Sequence, residues 1–117
     1  MNPTPLLAGL LVVAFTALGS AKLAAVPRMR QRAQHVGYSV AAYRRIGLLE
    51  VLGVLGLLVG ALIPLIGALA AAGLLILLGG AVVTHLRNGD GPREIAPALV
   101  LGLVNLTYLL LVVEDLR

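Results

Sequence analysis

A chain of 117 residues that is 60% hydrophobic, only 12% charged and of mean hydropathy +1.03 lies outside the range of soluble globular domains. Its length confines it to one domain, 1–117, and the lack of cysteine excludes a disulfide framework, a thiol relay and a thiolate metal site. The net charge of +4 does not point to nucleic acid, because the Lys and Arg residues gather beside apolar stretches, where they set membrane orientation.

The first apolar stretch, residues 5–21, approaches the ~20 residues that a helix needs to span a bilayer. Gly19-Ser20-Ala21 resembles a signal-peptidase site, but the preceding residues carry no Lys or Arg, so a retained span is expected. Residues 22–45 form the one sizeable loop, with Pro27 followed by Arg28-Met29-Arg30-Gln31-Arg32. This reads as a short interfacial segment whose arginines reach anionic lipid headgroups. The second and third stretches, 46–63 and 67–84, are separated by little more than Pro64-Leu65-Ile66, which predicts a tight hairpin of antiparallel helices. The fourth, 95–113, has Pro97 near its start, where a missing N–H costs least. The fold class expected is therefore all-α, a transmembrane four-helix bundle.

Small residues set how closely such helices can pack. Gly53, Gly56 and Gly60 share one side of the second helix, and Gly67, Ala71, Gly73, Gly79 and Gly80 mark the third. In lipid, close backbone approach replaces the hydrophobic drive between helices, so these residues are expected to pack the monomer. A homodimer through the glycine-rich faces is the alternative use.

Eight of the basic residues, Lys22 to Arg45 in the first loop together with Arg87 and Arg93 in the third, fall on one side of the membrane, against Arg117 on the other. The positive-inside rule then places loop 22–45 in the cytoplasm and both termini outside.

An ionisable group inside a span costs several kcal/mol unless it is paired or wet, which makes Glu50 the most informative residue. It lies five residues beyond Arg45, about 7–8 Å below the entry of its helix. Lys22 ends the first span and His85 the third, and the deduced topology brings both to the same end as Glu50. An acid, an amine and an imidazole from three helices thus share a depth. Glu50 paired with Lys22 or Arg45 to fix helix register is the structural reading; a ligand-headgroup or proton-handling site is the functional one. Asp90 can accept hydrogen bonds from loop-one arginines, and Asn105 and Tyr108, on one face of the fourth span, are secondary polar candidates that bond a neighbouring helix. A bis-histidine haem site is disfavoured because His35 falls in a loop, and no metal site, phosphate loop or nucleophile elbow is evident.

Gly19-Ser20-Ala21-Lys22-Leu23 closes the first helix, Gly47-Leu48-Leu49-Glu50-Val51-Leu52-Gly53 opens the second, and the run from Gly80 to Asp90, containing Thr84-His85-Leu86-Arg87-Asn88-Gly89, ends the third. Through these motifs the chain resembles the DoxX-like membrane proteins, in order from about residue 5 to residue 110. It implies a four-helix bundle in a bacterial plasma membrane. Relatives are linked to thiosulfate and quinone oxidoreduction or to oxidative-stress complexes, and animal relatives look like receptor-assembly chaperones. The resulting expectation is an accessory subunit without intrinsic catalysis, with membrane lipids and a membrane or peripheral oxidoreductase as partners and a quinone as the cofactor to consider. The alternative is a small proton-coupled transporter of cationic or amphipathic molecules using Glu50. Small multidrug transporters are similar in outline, but their essential Glu lies in the first helix beside a Trp; here the first span has no acid and the chain no Trp.

Overall fold

The computed structural model describes residues 2–117. Its elements are α1 (Thr4–Leu23), α2 (Pro27–His35), α3 (Val40–Val59), α4 (Pro64–Arg87) and α5 (Pro92–Leu116). The four long helices pack in a ring in which α1 touches α3, α3 touches α4, α4 touches α5 and α5 returns to α1. The all-helical bundle expected from the sequence is present, with α2 as an additional short helix laid against α1 and α3. The longest dimension is 42 Å, close to the full thickness of a bilayer with its headgroups.

Among the described residues three helices, α1, α4 and α5, are long and apolar enough to cross a membrane. The fourth long helix, α3, carries Arg44, Arg45 and Glu50 within its twenty residues and is not among them. The outer surface is apolar: Leu62, Ile76 and Val13 are each more than 70% exposed, an arrangement that water would penalise and lipid does not. Inside, Leu11, Phe15, Val54, Leu57, Ala71, Leu74, Tyr108 and Val112 form the core.

Glycine contacts hold the ring together. A Cβ on Gly60 would stand 2.5 Å from the Gly67 Cα, and one on Gly56 2.6 Å from the Ala70 Cβ, so α3 and α4 touch nearly backbone to backbone. Gly53 receives the Leu74 side chain. On the other side of α3, a Cβ on Gly47 would meet the Gly19 carbonyl oxygen at 2.7 Å. Gly73, Gly79 and Gly80 have open space where a Cβ would project, so these three do not pack the ring as the sequence suggested.

Three boundaries differ from the sequence expectation. The turn between α3 and α4 is Gly60 to Ile63, and Pro64 is the first residue of α4, where its missing N–H and fixed φ suit a helix start. Pro97 lies inside α5, which begins five residues earlier at Pro92; the Arg93 carbonyl, four residues before Pro97, therefore loses its usual helical donor. Loop 22–45 contains α2, started by Pro27 and closed by Gly37 in the left-handed region (φ 79°), with Tyr38 N–H folding back to the Ala33 carbonyl. Its Met29 and Ala33 are buried, four residues apart on one face.

Candidate functional site: a polar-mouthed cavity

The shared ends of α1, α3, α4 and α5, with α2 beside them, border a half-open cavity of about 850 Å³. Lys22, Glu50, His85, Tyr38 and Tyr43 line its polar part; Phe15, Leu18, Leu77, Leu78 and Leu101 line its apolar part. All three residues singled out from the sequence, Lys22, Glu50 and His85, therefore border one space.

Lys22 and Glu50 form an ion pair, Nζ donating to Oε1 at 2.6 Å, with side-chain exposures of 13% and 5%. Helix geometry explains why they meet. Side chains lean toward the N-terminus of their own helix, so in the antiparallel pair α1/α3 Lys22 leans into the bundle while Glu50 leans back toward its mouth. The Gly19–Gly47 contact, one turn away on each helix, brings the backbones close enough for the two heads to touch. The ammonium also sits 5.3 Å from the centroid of the Tyr43 ring, a cation–π distance. Arg45, the other partner considered for Glu50, is exposed on the opposite side of this contact pattern.

His85 does not join that pair. Its Nδ1 hydrogen-bonds Asp90 Oδ2 at 2.6 Å, while His35 Nε2 bonds Asp90 Oδ1 at 2.9 Å and Asn88 Nδ2 donates to the same oxygen at 3.1 Å. The local backbone dictates this. Gly89, in the left-handed region (φ 73°), ends α4 and turns the Asp90 N–H back to the His85 carbonyl at 2.9 Å, which carries the carboxylate to the imidazole. The hydrogen bond from His85, and then those from His35 and Asn88, hold the Asp90 carboxyl below the usual carboxylate range. Because an ionised carboxylate only accepts, both rings present an N–H to it, which fixes the His85 tautomer when that ring is neutral. The arginine partners expected for Asp90 are thus replaced by two histidines.

The shared depth of Lys22, Glu50 and His85 resolves into two adjoining constellations, an ion pair from α1 and α3 and a His35–Asp90–His85 node tying α2 to the α4–α5 turn. The secondary candidates Asn105 and Tyr108 lie elsewhere, buried in the core. Asn105 Nδ2 donates to the Ala71 carbonyl at 2.8 Å across the α4–α5 contact, and the Tyr108 hydroxyl occupies the space a side chain at Gly67 would need.

Sequence reasoning missed Tyr38, Tyr43 and Thr84. The Tyr38 hydroxyl meets Thr84 Oγ1 at 2.8 Å, and Thr84 donates in turn to the Gly80 carbonyl. Tyr43 was legible in principle, because it precedes Glu50 by seven residues and so shares its helix face. Tyr38 was not, since its position depends on α2 being a helix.

A model of the DoxX-like family matches residues 6–107. The chain belongs to the DoxX-like family. Together with three helices able to cross a bilayer, membership makes it a membrane protein. No curated protein and no solved structure is detectably similar to this DoxX-like chain.

Proposed function

We propose that this DoxX-like protein is a non-catalytic accessory subunit of the bacterial plasma membrane, in which α3 spans the bilayer with α1, α4 and α5, and that its cavity holds an amphipathic molecule. The observation that supports this is the grading of a single cavity, from Lys22, Glu50 and His85 at one end to Phe15, Leu77 and Leu101 at the other. A volume of about 850 Å³ is within the ~300–1,000 Å³ of small-molecule sites, and such sites are mostly apolar with a few converging polar groups. Basic residues crowd the polar end, so it faces the cytoplasm with both termini outside. Quinone-linked or oxidative-stress oxidoreductases, to which relatives are linked, are the partners proposed for the subunit.

The test compares what remains bound to detergent-purified wild-type protein, Glu50→Gln and Ala81→Phe, using native mass spectrometry on each. Ala81 lines the cavity, so a phenyl ring there projects into it and obstructs the path of a bound chain. Wild-type protein is expected to retain an amphiphile, Ala81→Phe to lose most of it, and Glu50→Gln to change the amount retained, all three staying folded. Equal retention in all three would remove the cavity as the binding site.

A further inference from the structure

Resting on the reading of this cavity as a ligand site, we infer that its occupant carries an anionic head, a phosphate or carboxylate joined to an apolar tail, rather than a neutral one. Four cationic side chains line the cavity, Lys22, Arg28, Arg32 and Arg93, against two carboxylates, Glu50 and Glu94. Glu50 is consumed by Lys22. Asp90, the nearby third acid, is held by His35, His85 and Asn88. Among the described residues, Arg28, Arg32 and Arg93 form neither a salt bridge nor a side-chain hydrogen bond.

The arrangement of α2 strengthens the case. Its buried face, Met29 and Ala33, rests on the bundle, and the residues that line the cavity, Arg28, Gln31, Arg32 and His35, recur at the three- and four-residue spacing of a single helix face. Arg28 and Arg32 are like charges four residues apart, a slightly unfavourable pairing that an anion between them would relieve. Arg93 approaches from the first turn of α5 on the far side of the same mouth. Guanidinium groups suit this task because they present planar forks of N–H donors that match phosphate or carboxylate oxygens two at a time. The apolar tail then runs past Leu18, Leu77 and Leu101, where a free inorganic anion would gain nothing.

The test uses the full chain in zwitterionic nanodiscs and three probes: oleoyl lysophosphatidate, monoolein with the same tail and a neutral head, and inorganic phosphate. Binding is read by thermal shift and native mass spectrometry in wild-type protein, in the triple variant Arg28→Gln/Arg32→Gln/Arg93→Gln, and in Ala81→Phe. Lysophosphatidate is expected to bind at least about tenfold more tightly than monoolein, since charge-assisted hydrogen bonds are worth that much each, and inorganic phosphate to bind far more weakly than either. The triple variant should lose the tenfold preference and keep monoolein binding, whereas Ala81→Phe should lose both amphiphiles. Monoolein binding as tightly as lysophosphatidate, or a preference that survives the triple variant, overturns the anionic head while leaving the cavity a ligand site. Phosphate binding as well as lysophosphatidate, or lysophosphatidate binding undiminished in Ala81→Phe, places the anion on the surface and overturns the inference. Failure of both amphiphiles to bind wild-type protein overturns the cavity reading itself.

Discussion

Replacing Glu50 by alanine strands the Lys22 ammonium. In the intact protein the two heads touch at 2.6 Å with the carboxylate 5% and the ammonium 13% exposed, so neither is solvated by bulk water. Removing one partner of a buried ion pair costs about 3–5 kcal/mol, and because Lys22 borders a cavity that admits water the lower end, about 3 kcal/mol, applies here. For a chain of this size 1 kcal/mol moves the midpoint by roughly 4 °C, so Glu50→Ala should melt about 12 °C below wild type in the same detergent. Glu50→Gln keeps shape and an acceptor for Lys22 but loses charge assistance, a difference of about 1–2 kcal/mol, and should fall between the two. The double variant Lys22→Met/Glu50→Leu removes both charges and should recover most of the loss, to within about 1 kcal/mol of wild type. Thermal unfolding followed by tryptophan-independent probes, such as far-ultraviolet circular dichroism, measures all four proteins. A wild-type melting temperature for Glu50→Ala, or a double variant as unstable as the single one, would refute the claim that these groups are desolvated partners.

Four further outcomes follow from separate features. Gly47→Ala places a Cβ 2.7 Å from the Gly19 carbonyl oxygen and should cost about 1–3 kcal/mol, whereas Gly73→Ala, with open space at that point, should be neutral or slightly stabilising in the same melting assay. Asp90 has a folded pKa below its ordinary 3.8, so its contribution to stability is fully present above that value and is lost as the pH falls through the lower folded pKa; melting temperature against pH should show an acid fall that Asp90→Asn flattens. Among the described residues Asn105 makes one hydrogen bond and its buried Oδ1 has no partner, so Asn105→Leu should change stability by less than about 1 kcal/mol by denaturant titration, and a loss of several would reveal a second partner. A reporter enzyme active only in the cytoplasm should work when inserted near Gln34 and fail when fused after Arg117; the opposite pattern would invert the topology.

The long helices were legible because lipid-facing segments must be almost uniformly apolar, and in three of the four stretches so little of the helix is buried that composition alone marks them. The Lys22–Glu50 pair was legible for a related reason, as charges within or at the end of a span must find each other. Helix ends were less so. Pro64 reads as a turn residue, yet the same missing N–H also fits the first position of a helix, and sequence alone does not choose between the two. Loop 22–45 hid α2 because its apolar face is only Met29 and Ala33, too small to stand out among arginines, and with α2 unseen the approach of His35 to Asp90 could not be anticipated. The partner of His85 was nearer to hand. A glycine at position 89 followed by an acid is the pattern that folds a helix end back on itself, and it directed Asp90 to His85 ahead of any distant arginine.

In the proposed complex one cavity holds the apolar part of an amphiphile beyond the Lys22–Glu50 pair. The most direct measurement is photolabelling of the nanodisc-embedded protein with an oleoyl lysophosphatidate bearing a diazirine midway along its tail, with labelled positions mapped by peptide mass spectrometry and competed by excess unlabelled amphiphile. Labelling of Leu18, Leu77 and Leu101 that disappears under competition is the result expected. Labelling spread over the outward-facing Val13, Leu55 and Leu103, undiminished by competitor, would show an amphiphile that meets only the outside of the bundle and would contradict the account.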